Sequence, residues 1–312
     1  MKKLFKISIS LIAILLSSCG NNNVSPSSKE EHVHQFDDIY VLHDADWKTY
    51  IKGSDFDKTG LKVAHKCKTC NEIVEVEFGL ENDTDLDLEQ TSVTIKAEEQ
   101  TIDYPIVVKE KYRIACCGDS LTAGHMWPNQ AYPVYLRQDV SENYEVGSFS
   151  YNGLSITGYG GSFDDPNQRY ILRDEYKQSL AYEPDIFAIM LGTNDATGWA
   201  NAKDIFYDEY CVLLDSYIEA FPNAKFIMMV SPPVIDNTFG IPNDIIKENV
   251  NPIQRDLADE YGFEVLDLRE EFEDVEDYVS KYLRPNDGVH FTVEGAQYVA
   301  SRVWDIAKDL TL

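Results

Sequence analysis

Two patterns of apolar and polar residues divide this chain into two regions. Over residues 36–108, apolar and polar residues alternate in short runs, and turn-forming residues such as Asn82-Asp83 separate the runs. Alternation with a period of two is typical of strands that bury one face. The last run contains Pro105, which an edge strand tolerates. This pattern predicts a small all-β sandwich over residues 32–109.

From Tyr112 onward, continuous apolar runs alternate with amphipathic segments. The runs have the composition of strands buried on both faces, and they are Ile114–Cys117, Tyr144–Phe149, Ile186–Leu191, Phe226–Val230 and Phe263–Leu268. The segments between them have helical spacing, as in Asp204–Ala220 and Asn243–Tyr261. Strand–helix repetition over residues 110–312 predicts a three-layer α/β/α domain with a parallel sheet.

Polar clusters stand directly after the apolar runs of the second region. Three of them are Gly118-Asp119-Ser120, Asn152-Gly153 and Asn194-Asp195, and a fourth, Asp287-Gly288-Val289-His290, precedes the last helical segment. Ligands of open parallel sheets bind outside the carboxyl ends of the strands. We therefore expect the four clusters to converge on one edge of the sheet.

The residue types in these clusters fit nucleophilic catalysis at a carbonyl carbon. A serine hydroxyl is a weak nucleophile without an adjacent base, and His290 can be the base for Ser120. Asp287 can bond the second ring nitrogen of His290 and fix its tautomer. Donors for a tetrahedral oxyanion are present in the backbone N–H groups of Ser120 and Gly153 and in the side-chain amide of Asn194.

The order of these motifs resembles the SGNH, or GDSL-type, hydrolase family. The residues that carry the resemblance are GDSL at 118–121, NG at 152–153, GTND at 192–195 and DGVH at 287–290. The resemblance covers residues 111–312 and implies a flavodoxin-like fold and ester hydrolysis without a metal or other cofactor. It further implies that Ser120 is the nucleophile, His290 the base and Asp287 its orienting partner.

The same resemblance assigns the oxyanion hole to Ser120, Gly153 and Asn194. The second motif departs from the family pattern, because Asn152 stands where a serine usually precedes the glycine. The N–H groups of Gly158 and Ile156 therefore remain alternative donors. Three residues near the motifs are candidates either for the rim of a pocket or for ordinary packing, namely His125, Trp127 and Trp199.

The amino terminus has the features of a bacterial lipoprotein leader. A basic start is followed by the apolar stretch Ile7–Leu16, which is too short to span a bilayer as a mature helix. Leu16-Ser17-Ser18-Cys19 resembles a lipobox, in which the cysteine becomes the lipidated first residue. The sequence thus predicts a signal peptide over residues 1–18, lipidation of Cys19 and a flexible tether over residues 19–31. It predicts an extracytoplasmic protein anchored to the cell membrane.

A pair of cysteines in the first region has the spacing of a metal half-site. Cys67 and Cys70 form a CxxC sequence, and His32 and His34, with His65 close by, offer imidazole ligands. Together they could form a structural Cys2His2 zinc site. A short-range disulfide or two free thiols on a hairpin are the competing interpretations.

The net charge argues against nucleic acid as a partner, and one further resemblance indicates a role for the first region. The formal net charge is −27, which opposes binding to the phosphate backbone of nucleic acids. The stretch Asp55–Val63 resembles the bacterial immunoglobulin-like domains of surface proteins. That resemblance implies a spacer or an adhesive module for residues 32–109.

These features together favour a surface-tethered carbohydrate O-acetylesterase whose partner is an acetylated or acylated carbohydrate. The stretches Tyr144–Phe149 and Ser231–Val234 resemble SGNH members that act on glycan acetyl esters. A lysophospholipase or acyl thioesterase is a second interpretation, which a long apolar pocket would favour. A third is a surface lipoprotein whose first region binds glycans.

Overall fold

The computed structural model describes residues 34–160, 168–235, 237 and 239–310. The predicted signal peptide, the lipidated Cys19, the tether and the candidate ligand His32 lie outside the described residues. Within the part of the chain that is described, no helix is long and apolar enough to cross a membrane.

Residues 34–109 form eight short strands. They are β1 (Tyr40–His43), β2 (Thr49–Ile51), β3 (Lys62–Lys66), β4 (Ile73–Glu75), β5 (Gly79–Glu81), β6 (Ser92–Ala97), β7 (Gln100–Pro105) and β8 (Val107–Lys109). Antiparallel sheets of order β1-β3-β4 and β5-β6-β7 accompany a parallel pair, β2-β8. Pro105 ends β7 at the edge of its sheet, where its missing N–H is tolerated. The immunoglobulin-like arrangement of this region stays a prediction.

The second region contains a five-stranded parallel sheet, as the apolar runs predict. Its strands are β9 (Tyr112–Gly118), β10 (Tyr144–Ser150), β11 (Ile186–Met190), β12 (Lys225–Val230) and β13 (Glu264–Asp267). The order is β10-β9-β11-β12-β13, which is the strand order of flavodoxin-like folds. The prediction of a flavodoxin-like parallel sheet is therefore confirmed.

Helices connect the strands of this sheet. The α-helices are α1 (Ser120–Ala123), α2 (Tyr132–Asp139), α3 (Asp174–Ala181), α4 (Trp199–Ala202), α5 (Phe206–Ala220), α6 (Asn243–Ile245), α7 (Asn251–Tyr261), α8 (Leu268–Glu273), α9 (Tyr278–Tyr282) and α10 (Val293–Ala307). A π-helical turn, Ile246–Val250, joins α6 to α7. Shorter 3₁₀ turns occur at Pro128–Gln130, Tyr170–Leu172, Asn194–Gly198 and Lys308–Leu310.

Two consecutive methionines of β12 show that helices cover both faces of the sheet. The Tyr210 hydroxyl of α5 lies 3.4 Å from the sulfur of Met228, whereas the Tyr132 hydroxyl of α2 lies 3.6 Å from the sulfur of Met229. Neighbouring strand residues point to opposite faces, so α5 and α2 lie on opposite sides. Helix α2 packs with α10, and α5 contacts α3 and α7. The domain thus has three layers.

The two regions are joined at the amino ends of the parallel strands. Asp185, which is buried just before β11, accepts hydrogen bonds from the Lys109 ammonium at 2.8 Å and the Arg113 N–H at 2.9 Å. Lys225, the first residue of β12, donates to the Asp46 carbonyl at 3.1 Å. The first region is therefore fastened to the edge opposite the one where the polar clusters lie.

Gly118, at the carboxyl end of β9, has no room for a side chain. A Cβ at this position would lie 2.1 Å from Thr122 Oγ1 and 2.8 Å from the Met190 carbonyl oxygen. Met190 is the register partner of Gly118 on β11. The close pairing of β9 with β11 thus explains why a glycine precedes the Asp-Ser sequence.

We expect Gly118→Ala to lower the free energy of unfolding by about 1–3 kcal/mol, because the Met190 carbonyl cannot withdraw without disturbing the strand pairing. Gly79→Ala is the matched control, since a Cβ there meets no atom closer than 4.0 Å. Denaturant unfolding of the two variants measures both effects. Equal losses would contradict the steric explanation.

Candidate active site

Three side chains from distant parts of the sequence meet at the carboxyl edge of the sheet. Ser120 begins α1 directly after β9, and His290 lies in the loop before α10. His290 Nε2 is 2.9 Å from Ser120 Oγ, and His290 Nδ1 is 3.1 Å from Asp287 Oδ2. The structure brings the predicted nucleophile, base and orienting carboxylate together in hydrogen-bonding order. A serine held in this way can attack a carbonyl carbon while the imidazole takes its proton.

Asp287 holds the backbone of its loop as well as the imidazole ring. Its Oδ1 accepts the N–H groups of Val289 and His290, each at 2.9 Å, while Oδ2 faces the ring. Burial by itself would raise the pKa of Asp287, but these N–H groups and the adjacent imidazole lower it overall. The carboxylate is therefore ionised and fixed at neutral pH.

The pKa of His290 is lowered to about 4. Burial of the ring is the largest cause, the charge of Asp287 opposes it, and a positive charge on His125 would add to it. A lowered pKa keeps the imidazole neutral at pH 7. Neutral imidazole is the form that can accept a proton from Ser120.

A buried carboxylate connects the first and third polar clusters. Asp119 caps α1 by accepting the Leu121 N–H at 2.9 Å, and its other oxygen accepts the Asn194 side-chain amide at 3.0 Å. Burial raises the pKa of Asp119 to about 7. The second amide hydrogen of Asn194 is donated to the Leu154 carbonyl at 2.9 Å. An oxyanion bound by Asn194 would have to share or replace one of these acceptors.

Ser120, Gly153 and Asn194 all line one cavity of about 280 Å³. The alternative N–H donors are engaged elsewhere, because Ile156 donates to Asp195 at 2.9 Å and Gly158 donates to the Ser155 hydroxyl at 3.0 Å. The sequence offered three residues as the second backbone N–H donor, Gly153, Ile156 and Gly158. Among the described residues, Gly153 is the one of these that lines the cavity. It remains the candidate donor beside Ser120 and Asn194.

His125 forms part of the cavity wall. Its ring lies 4.2 Å from the ring of His290, centroid to centroid, and the two planes are within 6° of parallel. Phe239 contacts both rings edge-on.

Neither Trp127 nor Trp199 is among the described residues that line the cavity. Trp127 instead stacks beneath the Arg284 guanidinium, and Trp199 packs on Phe206.

Sequence reasoning missed several residues of this cavity. They come from two connecting segments that carry no motif, and they are Gln168, Phe239 and Ile241. Burial and position in the fold, rather than a sequence signal, bring them to the site.

Comparison with known proteins finds one protein family whose sequence model matches the second region. Residues 116–298 match the model of the GDSL-like Lipase/Acylhydrolase family. An acetylxylan esterase from Xylanibacter ruminicola is 26% identical over 222 residues, which are 63% of this chain and 43% of that protein. The chain thus spans less than half the length of this curated relative.

Solved structures agree with the fold of the second region. A lipase/acylhydrolase from Enterococcus faecalis superposes with a TM-score of 0.51 at 21% identity, covering 64% of this chain and 96% of that chain. A GDSL-like protein from Parabacteroides merdae gives 0.50 at 19% identity, with 64% and 96% coverage. At such identities the likeness establishes the fold alone.

The electrostatics of His290 predict an unusual pH dependence for the reactivity of Ser120. Because the pKa of His290 lies near 4, the neutral base persists well below the ordinary histidine pKa of about 6.5. An organophosphorus fluoride should label Ser120 at a constant rate from pH 7 to about pH 5, and the rate should fall tenfold per pH unit below about 4. Mass spectrometry of the labelled protein measures the rate.

Ser120→Ala is the control for this measurement, since it should take up no label at any pH. A labelling midpoint near pH 6.5 in the wild-type protein would show that burial does not set the basicity of His290.

Proposed function

Because this chain belongs to the GDSL-like lipase/acylhydrolase family, we propose that it hydrolyses carboxylic esters with Ser120 as the nucleophile. The observation that carries the proposal is the hydrogen-bonded series from Ser120 through His290 to Asp287 at the wall of a cavity. The lowered pKa values of His290 and Asp287 give a neutral imidazole and an ionised carboxylate at neutral pH, as the reaction needs.

The proposed reaction has two steps. Ser120 Oγ attacks the acyl carbon as its proton passes to His290 Nε2, and His290 then protonates the leaving alcohol. Water, deprotonated by His290, hydrolyses the resulting acyl-enzyme. The N–H groups of Ser120 and Gly153 stabilise both oxyanions. The Asn194 amide joins them by sharing or releasing a hydrogen that it now donates to Asp119 or Leu154. Asp287 stabilises the imidazolium that forms in each step.

We assign the substrate to acetyl esters of carbohydrates. The relationship to an acetylxylan esterase supports this class. The polar lining of the cavity supports it independently, since the side chains of Asn152, Gln168 and Thr193 are among its walls. Sugar hydroxyl groups can form hydrogen bonds with such side chains, whereas an alkyl chain cannot.

One observation favours the lysophospholipase or thioesterase alternative. An apolar wall built by Phe239, Ile241 and Val289 borders the same cavity as Ser120. Such a wall suits an acyl chain longer than acetate. Selectivity for acyl length therefore separates the two substrate classes.

We further propose that the protein works at the cell surface, anchored through a lipid on Cys19, with residues 19–31 as a tether. Residues 32–109 would then be an immunoglobulin-like spacer that precedes the catalytic domain of residues 110–312. Attachment of the first region to the amino ends of the sheet supports a spacer, since this arrangement leaves the cavity uncovered. The non-enzymatic alternative is that the protein is a surface lipoprotein whose first region binds glycans.

The first experiment compares the purified wild-type protein with Ser120→Ala on aryl esters of two, four and eight carbons and on acetylated xylan. We expect acetyl esters to be preferred and the Ser120→Ala variant to lose activity by at least about 10³-fold. Ser216→Ala is the control, because Ser216 lies on α5, where it bonds the Leu213 carbonyl. Preference for the eight-carbon ester would favour the lipase class, and equal activity of Ser120→Ala would reject the serine mechanism.

A second experiment tests recognition of the carbohydrate. Gln168→Ala should raise KM for acetylated xylan oligosaccharides roughly fivefold, since it removes one hydrogen bond of about 1 kcal/mol. It should leave hydrolysis of an aryl acetate within about twofold. Gln178→Ala, on the exposed face of α3, is the matched control. Equal effects of Gln168→Ala on both substrates would argue against a contact with the sugar.

A further inference from the structure

We propose that His34, Cys67 and Cys70 bind a zinc ion in the first region, independently of the ester chemistry. The imidazole nitrogen of His34 and the sulfurs of the two cysteines lie within 4.8 Å of one another. Cys67 is buried, and the other two residues are exposed. None of the three is among the described residues that line the cavity beside Ser120.

The distance between two of the ligand atoms fits a shared zinc ion. Cys70 Sγ and His34 Nδ1 are 3.5 Å apart. Zinc–sulfur and zinc–nitrogen bonds of about 2.3 and 2.0 Å at a tetrahedral angle hold these two atoms roughly 3.5 Å apart. A mixed set of thiolate and imidazole ligands selects zinc over oxygen-seeking ions such as calcium or magnesium.

Backbone pairing, rather than side-chain flexibility, creates this arrangement. Cys67 forms an isolated antiparallel bridge with Phe36, and the Lys68 N–H donates to the Gln35 carbonyl at 2.7 Å. These contacts place His34 beside the turn that carries both cysteines. Asn71 closes that turn with a φ of 63°, and its N–H donates to the Cys67 carbonyl at 2.9 Å. Asparagine tolerates this left-handed conformation better than most residues do.

Glu72 prepares the imidazole of His34 for coordination through Nδ1. The carboxylate Oε2 lies 3.6 Å from His34 Nε2 and 3.9 Å from Cys70 Sγ, so it borders two of the proposed ligands. Its negative charge favours a proton on Nε2, which leaves Nδ1 to coordinate the metal. Metal-bound histidines usually have such a carboxylate or carbonyl partner on the second nitrogen.

His65, the other histidine near the CxxC sequence, has a different role. Its ring stacks on Phe36 with 3.6 Å between centroids and lies buried. It supports the segment that carries His34, through Phe36, and is not part of the three-residue group. A tetrahedral ion would take its fourth ligand from water or from another side chain.

The test is metal analysis of the protein purified from residue 20 onward under reducing conditions, which keeps every described residue. We expect about one zinc per chain, and loss of it in Cys70→Ser and in His34→Ala. Cys211→Ser and His43→Ala are the controls, since Cys211 lies on α5 and His43 is an exposed histidine of β1. Zinc that persists in Cys70→Ser would overturn the proposal.

Cobalt substitution gives a readout that does not depend on the stability of those variants. Cobalt added to the metal-free wild-type protein should give the thiolate charge-transfer and visible bands of a tetrahedral site. Glu72→Gln should weaken zinc binding roughly 10- to 100-fold, whereas Glu75→Gln on the same hairpin should not. Absence of the cobalt bands would overturn the proposal.

Discussion

The reversal of strand order beside β9 is the constraint on which the candidate site depends. The chain leaves β9 toward β10 on one side and β11 lies on the other, so the connections diverge and leave a crevice at the carboxyl edge. Ser120 follows β9 and Asn194 follows β11, and the crevice lies between them. The hydrogen bond from Asn194 to Asp119 joins the two strand ends across it. A sheet of another order would separate these side chains.

Two buried aspartates stabilise this edge of the sheet. Asp119 holds the start of α1 and the amide of Asn194, while Asp195 accepts the N–H groups of Ile156 and Thr157. Burial raises the pKa of both carboxyl groups, and the hydrogen bonds oppose the rise. A buried carboxyl group is unfavourable unless its oxygens are satisfied. Asp119 therefore positions Ser120 and the Asn194 amide, and Asp195 holds the segment that follows Gly153. Neither aspartate is among the described residues that line the cavity.

The sequence predicts the central strands β9, β11 and β12 well because strands buried on both faces are continuously apolar. The expectation of burial on both faces was wrong for the edge strands β10 and β13, which expose residues such as Glu145 and Val265. Each of the five runs coincides with a strand to within two residues. Motif residues such as Ser120 and His290 can be predicted, because their chemistry stands out next to the apolar strands. Gln168 and Phe239 cannot be predicted, because they reach the cavity from connecting segments, and no local pattern encodes the distance between such segments. The split of Asn243–Tyr261 by a π turn was likewise unpredictable, since a helical period does not specify its hydrogen-bond register.

The attachment of the first region bears on how a polymeric ester could reach Ser120. Lys109 and Lys225 fix that region to the amino ends of the parallel strands, whereas the cavity beside Ser120 lies at the carboxyl ends. An anchor at Cys19 would act through the first region, so the cavity would face away from the attached end of the chain. A zinc ion on His34 would hold the first described residue on the β3–β4 turn, so the tether would begin at a fixed point of the first region. Because that tether is predicted to be flexible, access of a polymeric ester to the cavity would depend on the attachment of the first region at the opposite edge of the sheet.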